Sequence, residues 1–330
     1  MGRRSPTLEG FQLLFRRPSF GLAEIAWRWT FGGAAATLAF LSLLEYFDTL
    51  PVTNADRFLL RTRHPALVSR ALNDIFHNSG QRFVAASLVL GLTLAVAWIA
   101  TASWGRAVTL QSLAAYFRHA ESGASYRLRS LAGLNFFRVV ITVAAAVGWI
   151  GALVLGGIAS PDKNPSPGIA VLVFFAVIVL VGLAWAVLNW FLSLAAVFVV
   201  IEGRDTFGAI GSAASLVRNR FGAVLAASIW FGLAHGGAFV IATTLVGFPL
   251  AFAGLLPAGV VLGGVLLVTL LYFAVADLLY LGRLGAYVWI AEAPDPPSMP
   301  EPPPLPPAPA ETIDRSELIL SDHQTVPATC

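Results

Sequence analysis

The chain has 330 residues, of which 57% are hydrophobic and only 12% charged, with a formal net charge of +3. An average soluble domain carries about 25% charged residues, so this chain cannot cover a water-exposed surface. A cytosolic globule, a disordered chain and a coiled coil are all excluded as the main body, which leaves a polytopic membrane protein. Its apolar runs are continuous, without the alternation of a barrel strand, so an all-α helix bundle is expected.

The small net charge hides a split. Residues 1–293 hold 20 basic and 12 acidic side chains, a balance of +8, whereas residues 294–330 hold one basic and six acidic, a balance of −5. Eleven of the 20 prolines also fall in that last stretch. The organisation is a hydrophobic, arginine-bearing membrane domain (1–293) followed by a Pro-rich acidic tail (294–330). Lys163 stands alone beside 20 arginines, a bias that with the Ala and Gly content points to a GC-rich bacterial genome. The arginines lie between apolar stretches, so they read as topology signals and not as a nucleic-acid surface.

A hydrocarbon core about 30 Å thick needs about 20 apolar residues in a helix. The N-terminus carries Arg3, Arg4, Arg16 and Arg17 and starts on the cytoplasmic side. The first span, about 29–44, has no short apolar region with a cleavage site and reads as a retained anchor. A connection over 48–82 follows on the outside. It carries Arg57, Arg61, Arg63, Arg70 and Arg82 against the positive-inside rule; either its length lets it translocate, the reading adopted, or the first apolar stretch is re-entrant. Within it, Thr53 and Asp56 fit a capping box, and Pro65 suits the first turn of a second short helix bearing Val68, Leu72, Ile75 and Phe76. The two helices are expected to cap the bundle.

The second span covers about 83–101. A separate amphipathic helix is expected over 106–118, with Leu110, Leu113, Ala114 and Phe117 on one face, and Leu128, Leu131 and Leu134 lead into the third span, 136–159. The fourth span covers 168–190 and stays apolar to Ile201. As one helix, 168–201 would be about 51 Å long at 1.5 Å per residue, so its end runs along or beyond the cytoplasmic interface.

Residues 205–221 predict an interfacial helix capped by Asp205. Phe207, Ile210, Ala214, Val217 and Phe221 form its apolar face, and Arg204, Arg218 and Arg220 are candidate lipid-headgroup contacts. The fifth and sixth spans cover 221–246 and 257–279. Arginine-rich connections alternate with poor ones after the first, so six spans place both termini in the cytoplasm of a bacterial cell, in its inner membrane. The tail reads PDPPSMPEPPPLPPAP over 294–309, which favours extended polyproline II. It is a disordered segment that can reach a protein partner.

Small residues recur four apart at Ala144, Gly148, Ala152 and Gly156, at Gly232 and Gly236, and at Gly259 and Gly263, a spacing that lets helices approach closely in lipid. The polar residues within spans are His235, Asn189 and Asp277. An intramembrane ionisable group is a functional candidate because stranding it in lipid is costly, and these three would form a polar path if they faced one cavity. The chemistry of soluble enzymes leaves no trace: there is no GxxxxGK[ST] loop, GxGxxG fingerprint, HExxH or GxSxG elbow. The five histidines are scattered, and Cys330 is the only cysteine, so no catalytic, cofactor or metal site is assigned. His64 and His77 with Asp56 and Asp74 form the one outer cluster to name.

The stretch VFVVIEGRDTFGAIGSAASLVRNRFGAVLAASIWF (197–231) resembles bacterial membrane proteins related to the membrane domain of glycerophosphodiester phosphodiesterase. The likeness rests on Glu202, Gly203, Ser215 and Arg218. It implies a multi-span helical domain and no activity, because the catalytic barrel has no counterpart here. The function expected is a non-enzymatic structural or interaction module contacting membrane lipids and proteins. A small transporter or permease accessory subunit, or a lipid-modifying enzyme, are the alternatives.

Overall fold

The computed structural model describes residues 5–62, 64–76, 79–118, 128–160, 166–252 and 254–293. The Pro-rich tail, His77, Lys163 and Cys330 lie outside the described residues. Among the described residues the chain is all-α, with ten helices. They are α1 (Pro6–Arg16), α2 (Pro18–Asp48), α3 (Asn54–Arg61), α4 (Pro65–Phe76), α5 (Gly80–Arg118), α6 (Leu128–Ile158), α7 (Pro167–Ile201), α8 (Thr206–Asn219), α9 (Phe221–Ala251) and α10 (Ala258–Glu292). Six of them (α2, α5, α6, α7, α9 and α10) are long and apolar enough to cross a membrane. This is a multi-pass helical membrane protein.

Each long helix has 31–39 residues, well above the ~20 that span the hydrocarbon. Burial shows what the surplus does. The core is built from Leu13 of α1, Leu110 and Leu113 of α5, and Leu131 and Leu134 of α6. Leu192 and Leu194–Val200 of α7, Ala209 and Ala213 of α8, Ala227 and Phe231 of α9, and Leu281, Leu284, Ala286–Val288 and Ile290 of α10 complete it. All of these lie at one end of the bundle, formed by the starts of α2, α6 and α9 and the ends of α5, α7 and α10. The other halves of the six helices leave their apolar side chains exposed. α6 pairs with α7, α9 with α10, and α2 with α5.

Helix α1 has no counterpart among the sequence expectations. It ends where Arg17 leaves helical geometry and Pro18 starts α2, the position proline tolerates. Its buried face (Glu9, Gly10, Leu13) docks on α10. A Cβ at Gly10 would lie 2.5 Å from the Gly282 carbonyl oxygen, so the two backbones are nearly in contact, and Phe11 stacks on Phe231 with centroids 4.3 Å apart. The start of the chain and the end of α10 therefore share the packed end.

Four expectations need correction. Residues 106–118 are the continuation of α5 and not a separate helix. Gly105 makes no break; a Cβ there would strike the Trp27 indole at 2.5 Å, so this glycine lets α2 approach α5. The buried stripe of α8 is Ala209 and Ala213, with Ile210, Leu216 and Val217 half-buried, while Phe207 and Ala214 are exposed. Its rotation is set by Gly203, at φ 64° after the end of α7, and by the Asp205 carboxylate, which accepts from the Gly208 amide at 3.2 Å. Of the small-residue ladders, Gly148 meets Val181 and Gly156 meets Phe174 of α7, but Gly232, Gly236, Gly259 and Gly263 face open space. Finally, α3 and α4 pack chiefly on each other and not on the six long helices. The Thr53–Asp56 capping box is present and α4 starts at Pro65, as the sequence predicts.

Candidate functional site

Polar residues recur every three or four positions along five helices where these enter the packed end. They are Glu24, Trp27 and Arg28 on α2; Ser103, Arg106 and Thr109 on α5; and Asn135, Arg138 and Thr142 on α6. Trp185, Asn189 and Ser193 follow on α7, and Asp277, Tyr280 and Arg283 on α10. That spacing puts each set on one helix face.

Glu24 is fully buried. Its Oε1 lies 2.7 Å from Arg28 Nε, one turn on, and its Oε2 accepts from the Thr109 hydroxyl at 2.6 Å and the Trp27 indole at 2.9 Å. Arg28 Nη1 donates to Asp277 Oδ1 at 2.6 Å, and the Trp29 indole donates to Asp277 Oδ2 at 3.2 Å. Tyr280 sits among the cations. The guanidinium carbons of Arg28, Arg106 and Arg283 lie 4.4, 5.3 and 5.3 Å from its ring centroid, within cation–π range. The Arg106 guanidinium also donates to the Tyr280 hydroxyl. Arg138 donates to the Ser193 hydroxyl at 3.0 Å, and the Asn135 amide donates to the Ser103 hydroxyl at 2.9 Å.

The charges do not cancel. Arg28, Arg106, Arg138 and Arg283 meet Glu24 and Asp277, and both carboxylates are spent on Arg28. Among the described residues no carboxylate pairs with Arg106, Arg138 or Arg283, and the Nε of each has no hydrogen-bond partner. A buried charge without a counter-charge costs several kcal/mol.

Arg106 and Arg138 also line a cavity of about 430 Å³ between α2, α5, α6 and α7. Asn189, Thr142 and Trp185 line it on the polar side; Phe31, Leu94, Trp98 and Val139 form its apolar wall. Gly91 and Val143, at its far end, are exposed on the outer surface of the bundle.

The sequence-predicted polar path is dispersed over three settings. Asn189 lines the cavity, and its amide donates to the Trp185 carbonyl at 3.2 Å. Asp277 is bound to Arg28. His235 sits exposed on α9, with the Tyr272 hydroxyl 3.2 Å from its Nε2. The three do not meet in their described contacts. Of the headgroup candidates, Arg204 is exposed and pairs with Glu202 at 2.8 Å, Arg218 is exposed in the last turn of α8, and Arg220 is half-buried and donates to the Ile290 carbonyl at 2.7 Å. Arg220 thus ties the start of α9 to the end of α10. Counted by connection, Arg106 and Arg138 read as topology signals; Asp277 is expected to pair with a cytoplasmic arginine, and the arginine it meets is Arg28. The available signal was the helical spacing of polar residues around each arginine.

In comparisons with protein-family models, curated proteins and solved structures, the chain matches none.

Proposed function

We propose that this chain is a bacterial inner-membrane protein with both termini in the cytoplasm, working as a non-enzymatic module that contacts lipids and proteins. One observation carries the reading. In the most apolar window of each of the six long helices, 0% of residues are buried in three helices and at most 17% in the others. Side chains left uncovered by the chain itself are covered in a membrane by acyl chains or by helices of other proteins. The membrane-embedded surface is therefore contact surface first. Exposed Arg204 and Arg218 suit headgroups beside the packed end, and the acidic Pro-rich tail suits a protein partner. The likeness of 197–231 to phosphodiesterase membrane domains fits such a module and carries no activity.

A small transporter or permease accessory subunit is the second reading, favoured by the cavity that joins Asn189 to Arg106 and Arg138. Photo-crosslinking separates the two. Benzoylphenylalanine placed at the exposed Leu88, Val179 and Leu266 should give lipid and foreign-protein adducts in cells. Solute flux in proteoliposomes that is abolished by Asn189→Ala would overturn the module reading.

A further inference from the structure

We infer that the cavity beside Arg106 and Arg138 binds one anionic glycerophospholipid, with its phosphate at the two guanidiniums and an acyl chain along the apolar wall. The inference rests on the lipid-contact reading above and names the ligand. Three independent features lead to it.

The first is charge. Arg106 and Arg138 are each 6% exposed and have no carboxylate partner among the described residues, so the site carries a standing positive balance that an anion would neutralise. The second is hydrogen bonding. Both Nε donors are buried without acceptors, and two guanidiniums with free donors match the oxygens of a phosphate. The third is shape. The cavity leaves the arginines along Trp98, Ala95, Leu94 and Val139 and reaches the exposed Gly91 and Val143. From Arg106 to Gly91 is about 22 Å along α5 at 1.5 Å per residue. That exceeds one leaflet of hydrocarbon, about 15 Å. A free phosphate would use the arginines and leave this wall bare; a lipid uses both. The arginines also sit at the right depth, Arg106 beyond the second predicted span and Arg138 near the start of the third.

Trp98 and Trp185 line the cavity and serve as native reporters. The full-length protein is reconstituted in phosphatidylcholine nanodiscs with a minor share of brominated-chain phosphatidylglycerol or brominated-chain phosphatidylcholine. The Trp98 contribution is read as the difference from Trp98→Phe. Stronger quenching by the phosphatidylglycerol is expected. Arg106→Gln with Arg138→Gln should weaken the preference about tenfold, the loss of roughly one charge-assisted contact. If that pair fails to fold, Gly91→Leu provides the second test. Gly91 lines the cavity and a Cβ there meets nothing within 4 Å, so Leu is accommodated at the cavity's open end without removing a charge. It should lower the preference, whereas Arg57→Gln with Arg61→Gln, exposed on α3, should leave it intact. Equal quenching by both lipids overturns the site while leaving the outer crosslinks, and so the module reading, standing. Loss of the preference on adding inorganic phosphate shows a free-anion site and overturns the lipid assignment.

Discussion

Arg28 on α2 donates to Asp277 on α10 at 2.6 Å, across 249 positions of sequence, while Glu24 holds the same guanidinium from one turn earlier. One cation thus joins the first long helix to the last. Both carboxylates depend on it, and Glu24 has no exposure to water. Arg28→Ala should therefore cost about 3–5 kcal/mol, the range for removing one partner of a buried pair. Asp277→Asn, which keeps an acceptor for Arg28 and Trp29, should cost less. Unfolding midpoints in detergent measure both, and an unchanged midpoint for Arg28→Ala would exclude the bridge.

Gly10→Ala should destabilise the protein by about 1–3 kcal/mol, the usual cost of overpacking. The added carbon would meet the Gly282 backbone at 2.5 Å and Phe231 at 3.0 Å. Gly236→Ala, in open space, should be neutral or stabilising through helix propensity. Thermal unfolding of the two variants compares them directly, and equal midpoints would show that α1 does not dock on α10.

The cap of α3 should respond to pH. The hydroxyl and backbone amide of Thr53 donate to Asp56 and hold its carboxyl below the ordinary value of 3.8. A depressed folded pKa contributes stability that is complete above the unfolded value and is lost as pH falls through the folded one. Amide exchange over residues 53–58 should therefore accelerate, relative to its intrinsic rate, only below pH 3.8. In Asp56→Asn that acid step should vanish. An acid step that persists in the variant would assign it to another group.

His235→Ala should change stability by no more than about 0.5 kcal/mol, as for exposed positions away from any network. Its described partner is the Tyr272 hydroxyl, at a long 3.2 Å. Detergent unfolding checks this. A loss several times larger would return His235 to the list of intramembrane polar sites.

Topology can be read with single cysteines in a Cys330→Ser background. Arg57→Cys should react with an impermeant maleimide in intact spheroplasts, and Arg204→Cys only after lysis. The opposite pattern would invert the chain in the membrane.

The six long helices, the Thr53–Asp56 box, the helix from Pro65 and the Asp205 cap were all legible in the sequence, because continuous apolarity and capping chemistry are local. The arginine cluster was not. Arg106 and Arg138 look like loop arginines when counted between spans, and only their helical register with Ser103, Thr109, Asn135 and Thr142 marks an inward face. His235 drew attention for its depth in an apolar run, yet depth along a helix says nothing about direction around it. Helix α1 is not legible as a span because its 11 residues are too short to cross the hydrocarbon, and its apolar residues (Leu8, Phe11, Leu13, Leu14, Phe15) gain meaning only once it docks on α10.

Composition alone settled that this chain lives in a membrane, since 12% charge cannot solvate 330 residues. The chain of apolar runs settled that it crosses in helices. Tertiary structure decided which charges are buried, because burial depends on which helices meet and at what rotation. It gathered four arginines from four helices around Tyr280 and Ser193, gave a carboxylate to Arg28 alone among them, and opened a cavity beside Arg106 and Arg138.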